Sequence, residues 1–179
     1  MTISRAFLNR YKHRIIPALL MVVFSLVISA CGVYSFTGAS IPPGATTYSV
    51  DFFPNNAPTV QPTLSQVFTD ALKDKFSRQT SLKLNNGLGD LHFEGSITGY
   101  SIQPQAIGPD DRAAQNRLTV TVRVRFVNEF EPENDFDQSF SRYYDYDSSK
   151  SLAEIENEAI DVIVEALVED IFNRAVVNW

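Results

Sequence analysis

The chain has 179 residues, of which 44% are apolar, with 15 Lys and Arg against 21 Asp and Glu, one Cys and two His. This apolar content is too high for a disordered chain, and the length fits one domain with a packed core. A formal charge of −6 argues against a nucleic-acid binder, because such proteins need a basic surface. One Cys excludes an internal disulfide and a Cys-based zinc site. We expect no cofactor.

The first thirty residues have the features of a secretory signal peptide. Four basic residues stand before an apolar stretch over 15–28, and no acidic residue occurs before Asp51. As a helix this stretch would span roughly 21 Å, short of the ~30 Å hydrocarbon core of a bilayer. An uncleaved membrane anchor is therefore the weaker alternative.

Cys31, the single cysteine, ends the segment Ile28-Ser29-Ala30-Cys31. This segment resembles the lipoprotein box of bacteria, in which the cysteine receives a diacylglycerol on its thiol and an acyl chain on its freed amine. We therefore predict lipidation at Cys31, with a buried free thiol as the alternative. Two or more acyl chains anchor a protein stably to a membrane.

Cleavage before Cys31 would remove four basic residues and no acidic ones. The mature chain then has 11 basic against 21 acidic residues, a formal charge of −10. Position 32 is Gly rather than the Asp of the familiar inner-membrane retention signal. We therefore predict that the protein is lipid-anchored in the outer membrane, on its periplasmic face.

The mature chain is predicted to begin with a tether over 31–47, rich in Gly, Ser, Thr and Pro, that leads into a strand. Alternation places three apolar residues on one face of that strand, namely Tyr48, Val50 and Phe52. A helix follows, from a capping box of Thr63 with Gln66 to a frayed end near Thr80. Its apolar stripe consists of Leu64, Val67, Phe68, Ala71, Leu72 and Phe76.

Three further strands are predicted after this helix. The first alternates over 91–98, and the clearest alternation follows from Arg117 to Phe126. The residues of its polar face are Thr119, Thr121, Arg123 and Arg125. The segment 104–114 lacks a period and is predicted to be a mobile connection, whereas 129–135 is predicted to be a hairpin loop. On the return strand, one face is predicted to hold Phe136, Phe140 and Tyr144.

A long helix is predicted to close the chain, beginning with a capping box of Ser151 and Glu154. The element order is then β-α-β-β-β-α. Two amphipathic helices and a sheet with one apolar face predict an α/β (α+β) two-layer sandwich, in which two helices pack on a small mixed sheet of about four strands. The predicted organisation is a signal peptide over 1–30, a lipidated tether over 31–47 and a folded domain over 48–179.

Arg123 and Arg125 are the candidate binding residues, because they share the polar face of one strand at a spacing of roughly 6.6 Å. In an acidic protein, two such arginines suit a phosphate or an acidic partner surface. The alternative, which we favour on general grounds, is that they pair with local acids or protect a sheet edge.

Other candidates are weaker, and we assign no catalytic residue and no metal site. The chain lacks the common nucleotide-binding and hydrolase motifs. His92 is more simply a solvated or hydrogen-bonded strand residue than a base acting with a serine. The acidic residues of the hairpin suit a solvated loop better than a weak calcium site; these are Glu129, Glu131, Glu133, Asp135 and Asp137. Three tyrosines fit a contact patch or the core equally well, namely Tyr143, Tyr144 and Tyr146.

Several blocks of the mature chain resemble the LptE-type lipopolysaccharide-assembly lipoproteins, and in particular a divergent branch that begins C-G-x-Y-S-F-T-G. The blocks cover 31–42, 52–58, 91–95, 99–100 and 169–179. This resemblance implies a small sheet with two helices, anchored in the inner leaflet of the outer membrane. It also implies a non-enzymatic role as plug and assembly aid of the LptD β-barrel, which inserts lipopolysaccharide into the outer leaflet.

The expected partners are therefore an LptD-like barrel, lipopolysaccharide and, through the acyl chains, the membrane. Well-studied members of the family are credited with binding lipopolysaccharide through basic residues near a strand loop. Arg123 and Arg125 are predicted from the strand pattern and not from that resemblance. Two other functions stay open: a periplasmic carrier with an apolar pocket between sheet and helices, and an envelope hydrolase that uses His92.

Overall fold

The computed structural model describes residues 40–107 and 113–177. The predicted signal peptide, the lipidation at Cys31 and most of the tether lie outside the described residues, as does the middle of the 104–114 connection. Within the described residues, no helix combines the length and the apolarity that a membrane crossing requires.

The described chain contains five strands, two helices and one short 3-10 helix. The strands are β1 (Thr47–Val50), β2 (Lys83–Leu84), β3 (Leu91–Ile107), β4 (Ala113–Asn128) and β5 (Phe136–Asp147). The helices are α1 (Leu64–Gln79) and α2 (Leu152–Val176), and the 3-10 helix is Pro132–Asn134.

The strands form one mixed sheet in the order β2-β1-β3-β4-β5. β1 runs parallel to both of its neighbours, whereas β3, β4 and β5 form an antiparallel meander. The predicted fold class and chain order are confirmed, with one strand more than expected. The additional strand is β2, which has only two residues and is too short to produce a readable alternation.

Both helices pack on one face of the sheet, which gives the predicted two layers. The apolar positions of β4 are all fully buried, as the alternation predicts; they are Leu118, Val120, Val122, Val124 and Phe126. A row of aromatic rings crosses the interface, with Phe76 and Phe93 at a centroid distance of 4.7 Å and Phe93 and Phe126 at the same distance. In the described part of the chain, this packing occupies the space in which the carrier hypothesis placed a pocket.

The two predicted capping boxes differ in outcome. The box at Ser151 and Glu154 is confirmed, with the Ser151 backbone N–H donating to Glu154 Oε2 at 2.7 Å. The box at Thr63 and Gln66 is wrong, because Thr63 already has helical backbone angles and its side chain makes no capping bond. Instead Gln61 Oε1 accepts the N–H groups of Thr63 and Leu64, each at 2.8 Å.

The end of β1 also differs from the prediction. The strand stops at Val50, and Phe52 is 57% exposed instead of sharing the buried face. Phe53 takes the core position, and its backbone N–H donates to Thr69 Oγ1 on α1 at 3.2 Å. The pairing with β3 is irregular beyond Val50, because the Asp51 N–H still donates to Phe93 O but the next bridge is the isolated one between Asn55 and Ile97. The two-residue period therefore no longer sets which side chain is buried.

The prediction of a mobile connection over 104–114 is wrong for its described parts. Pro104 pairs with Asn116 and Ile107 with Ala113, which makes these residues the far end of the β3–β4 hairpin. Residues 101–105 are all exposed. A strand segment that no layer covers has no buried face, and its sequence therefore has no alternation to detect.

Candidate functional site

The candidate site is the outer face of the sheet, which we define as the face of β3, β4 and β5 opposite the helices. Arg123 and Arg125 lie on this face, as predicted, and their side chains are 62% and 60% exposed. Fully buried apolar residues of β4 alternate with them and fix both arginines on a rigid central strand.

Each of the two arginines pairs with an acid on a neighbouring strand. Arg123 makes two parallel bonds to Asp137 of β5, from Nε to Oδ1 at 2.8 Å and from Nη2 to Oδ2 at 3.0 Å. Arg125 Nη1 donates to Glu94 Oε1 of β3 at 2.6 Å. The geometry therefore matches the alternative of local pairing, with the paired groups still open to solvent.

The pairing shifts the pKa values of Asp137 and Arg123 and favours the charged form of each. The hydrogen bonds from Arg123 lower the pKa of Asp137, and the same bonds raise the pKa of Arg123. Both groups therefore stay charged at neutral pH, and the face presents fixed positive and negative charges side by side.

Similar cross-strand contacts continue toward the far end of the β3–β4 hairpin. Thr121 and Ser141 hydroxyl oxygens lie 3.1 Å apart. Arg117 forms two bonds of 2.7 Å to Asp145, and its guanidinium lies 3.6 Å from the centre of the Tyr143 ring. We call the pairs Arg117–Asp145, Arg123–Asp137 and Arg125–Glu94 the ion-pair ladder.

The ion-pair ladder suits the binding of a charged, polar surface. Exposed ion pairs are weakly held, so an incoming phosphate or carboxylate exchanges with a local acid at little cost. The planar guanidinium groups match such ligands with two parallel hydrogen bonds. The face therefore provides polar recognition on a rigid support.

His92 lies on the same face and has a partner that sequence patterns did not identify. Its Nδ1 is 2.8 Å from Ser49 Oγ, and its Nε2 is 3.7 Å from Asp51 Oδ2. Ser49 is only 3% exposed, and its Oγ also accepts the Gly89 N–H at 2.9 Å. A serine hydroxyl that is buried and held in this way is poorly placed to attack a substrate, so the contacts favour a hydrogen-bonded strand histidine.

Potential metal ligands come together at one place in the described part of the chain. Single ligand atoms of Asp51, His92 and Glu94 lie within 4.8 Å of one another. Glu94 is already bound to Arg125, whose positive charge disfavours a cation at this point. The group is better described as an extension of the ion-pair ladder than as a metal centre.

Two acids of the predicted hairpin loop, Glu131 and Asp135, are engaged in separate local bonds. Asp135 Oδ1 accepts the Asn128 N–H at 2.8 Å, and Glu131 Oε2 accepts from Asn134 Nδ2 at 2.7 Å. These bonds hold the loop around the 3-10 helix.

The three tyrosines of β5 differ in whether they belong to the core or to an exposed contact patch. Tyr146 is buried in the core and Tyr144 is half-buried, with its hydroxyl donating to Glu158 Oε1 at 2.9 Å. Tyr143 is exposed on the outer face beside Arg117.

A groove of about 370 Å³ lies between α1 and α2. Its apolar lining is Val67, Ala71, Val164 and Val168. Charged residues surround it, including an ion pair between Lys75 and Glu169 that joins the two helices.

A comparison with models of protein families identifies the family of the chain. A family model described as "LptE: Lipopolysaccharide-assembly" matches residues 45–175. No curated protein matches the chain significantly.

The solved structures that resemble the chain include the following three. The solution structure of lipoprotein B from Nitrosomonas europaea is 13% identical, with 79% of this chain and 86% of that chain covered and a TM-score of 0.50. A minor lipoprotein from Acinetobacter baumannii is 12% identical, with coverages of 73% and 91% and a TM-score of 0.48. Protein CT253 from Chlamydia trachomatis is 8% identical, with coverages of 75% and 99% and a TM-score of 0.49. At 13% identity, the first of these indicates a shared fold and nothing more.

Proposed function

Because the chain belongs to the LptE family of lipopolysaccharide-assembly proteins, we propose that it is the lipoprotein partner of an LptD-type β-barrel. In this proposal, acyl chains on Cys31 anchor it to the periplasmic face of the outer membrane. The folded domain occupies the barrel as a plug and assists the insertion of lipopolysaccharide into the outer leaflet. The role is non-enzymatic.

The observation that carries the proposal is the ion-pair ladder on the outer face of a rigid three-stranded meander. The lumen of a large membrane barrel is polar, and its occupant needs a polar surface of fixed shape. The outer face has this character, with side chains held in cross-strand pairs by Asp137, Asp145 and Glu94.

Charge supports the same arrangement. The mature chain would have a formal charge of −10, with 11 basic and 21 acidic residues. Complementary charge steers partners together and fixes their orientation. We therefore expect basic patches on the barrel wall, and we propose Arg123 and Arg125 as the points at which barrel acids or lipopolysaccharide phosphates exchange with Asp137 and Glu94.

Crosslinking in the native host tests the proposed interface. A photoreactive amino acid at Ser139, which lies beside Arg123 in the β4–β5 register, is expected to give an adduct with the barrel. The matched control is Asp161, an exposed position on α2 in the other layer. Adducts only from Asp161 would move the interface to the helices, and failure to recover any barrel under mild detergent would contradict the proposal as a whole.

Substitution of the two arginines tests their role. Arg123→Ala with Arg125→Ala is expected to lower the amount of barrel that co-purifies, whereas Arg78→Ala is expected to leave it unchanged. Arg78 is a suitable control because it is exposed on α1 and pairs with Asp74 on the same helix. Equal recovery from both variants would remove the arginines from the interface.

A further inference from the structure

A second surface lies at the end of the domain where the described chain begins. The Ser40 backbone N–H donates to Val176 O at 2.6 Å, which fixes the start of the chain beside the last turn of α2. The loop before β3 and the loop after β4 lie at the same end of the sheet, since the Glu129 N–H donates to Asp90 O at 3.0 Å. We call this end of the domain the proximal end.

Large apolar side chains stand exposed at the proximal end. Leu88 is 78% exposed, Leu84 is 48% exposed and Phe130 is 45% exposed. Leu88 is held outward by a bonded turn, in which Asn85 Nδ2 donates to Leu88 O at 3.0 Å and Asn85 Oδ1 accepts the Gly87 N–H at 3.0 Å. The exposure of Leu88 is therefore built into the loop.

Phe130 is fixed in a comparable way. Its ring covers Gly44, where a Cβ would come within 2.7 Å of the ring edge, so the aromatic side chain lies directly on the backbone of the incoming chain. Asp90 Oδ2 accepts the backbone N–H groups of Thr46 and Thr47 at 2.7 and 2.9 Å. The incoming chain and the loops of Leu88 and Phe130 are thus bonded into one unit.

The number of residues between Cys31 and Ser40 limits how far the proximal end can lie from a membrane that holds Cys31. Nine peptide steps separate Cys31 from Ser40, and a fully extended chain of that length spans roughly 32 Å. A lipid-anchored Cys31 therefore keeps the proximal end close to the bilayer, whereas the far end of β3 extends roughly 50 Å further along the strand.

We propose that Leu84, Leu88 and Phe130 form a docking surface for the lipid bilayer, with Leu88 as its most exposed member. This inference rests on the lipid anchor of the proposed function. Moving exposed apolar side chains out of water lowers the free energy, and the anchor keeps their local concentration at the membrane high.

The charges around the docking surface select the type of lipid. Glu129 is exposed and Glu131 half-exposed on either side of Phe130, and Lys83 is the basic residue beside Leu84. Anionic lipids would repel the two glutamates, because charges this close to a membrane surface are only partly screened by salt. The surface therefore fits a zwitterionic lipid surface better than an anionic one.

An environment-sensitive probe tests the inference in the natively lipidated protein. The thiol of Cys31 is consumed by lipidation, so a cysteine introduced as Leu88→Cys is the only free thiol. It is labelled with a nitrobenzoxadiazole dye, and the protein is reconstituted into phosphatidylcholine vesicles with and without a nitroxide-labelled lipid. We expect a blue-shifted emission that the nitroxide lipid quenches.

Ser101→Cys is the matched control, because Ser101 is exposed on β3 ten residues beyond Leu91, or roughly 33 Å away. Its label is expected to emit as in water and to escape quenching. Leu84→Cys provides a second position on the docking surface, and replacing part of the phosphatidylcholine with phosphatidylglycerol is expected to reduce quenching at both positions.

The outcomes separate this inference from the proposed function. Water-like emission at Leu88→Cys and Leu84→Cys in protein whose lipidation is verified by mass spectrometry would overturn the docking surface and leave the barrel partnership standing. Stronger quenching in phosphatidylglycerol would overturn the assignment to zwitterionic lipid. A free thiol at Cys31 in the host would overturn both the docking surface and the anchor.

Discussion

Asp90 uses one carboxylate oxygen to hold the start of β1. Its Oδ2 accepts the backbone N–H groups of Thr46 and Thr47 and also the Thr46 hydroxyl. These bonds favour the charged form, and they lower the pKa of Asp90 below its ordinary value of 3.8, the Thr46 N–H being the largest cause. A carboxyl group with a depressed pKa in the folded state stabilises the protein above its unfolded pKa.

We therefore expect the contribution of Asp90 to be lost as the pH falls below about 4 and through the folded pKa. In Asp90→Asn the midpoint of urea unfolding should be lower at neutral pH, and its decline on acidification should be shallower than in the wild type. The control is Asp161→Asn, which changes an exposed helix carboxylate. Unfolding curves for Asp90→Asn that shift in parallel with the wild type at every pH would contradict this assignment.

The residues of the candidate site show which features of a site can be predicted from a sequence pattern and which cannot. The face of Arg123 and Arg125 follows from a two-residue period, and it is correct. Their partners Glu94 and Asp137 stand at polar positions of predicted strands, but pairing them requires the register between strands. Register depends on turn geometry and on bulges such as the shift between Ile97 and Gly99, and neither is readable from one sequence.

Strands and helices can be predicted from the sequence wherever a second layer buries one of their faces, because burial imposes a periodic apolar pattern. β4 is buried on its helix side from Leu118 to Phe126, and its alternation is readable over that part of the strand. The far end of β3 has no covering layer, so its pairing left no pattern. The start of α1 depends on Gln61, a residue type that capping rules do not favour, and sequence rules therefore selected Thr63 instead.

The role of Gln61 can be measured directly. Gln61→Ala removes the acceptor for two backbone N–H groups of the first turn of α1, and we expect a loss of about 1 kcal/mol in the free energy of unfolding. Gln66→Ala on the same turn removes only an exposed bond to Asp70 and should cost clearly less. Chemical denaturation measures the free energy of unfolding of both variants. A larger loss in Gln66→Ala than in Gln61→Ala would contradict the role of Gln61 and favour the capping box of Thr63 and Gln66.

For the whole molecule, stability should decrease from the centre of the sheet to its edge. β4 is paired on both sides and buried on its helix side from Leu118 to Phe126, whereas β2 is an exposed edge strand of two residues. We expect the amide hydrogens of Val122 and Val124 to exchange last with solvent and that of Lys83 to exchange early. Hydrogen exchange followed by NMR measures this order, and equal rates in β2 and β4 would contradict it.

The parallel pairing of β1 has a consequence for how the protein matures. Tyr48 finds its sheet neighbours at Leu84 and Leu91, far along the chain. If the chain is exported with its N-terminus leading, as the proposed function requires, β1 has to wait for this distant stretch before it can form, because long-range closure of this kind slows folding. In that case Tyr48 and Val50 stay uncovered during the interval, and the proposed function therefore implies that a holding chaperone binds the chain.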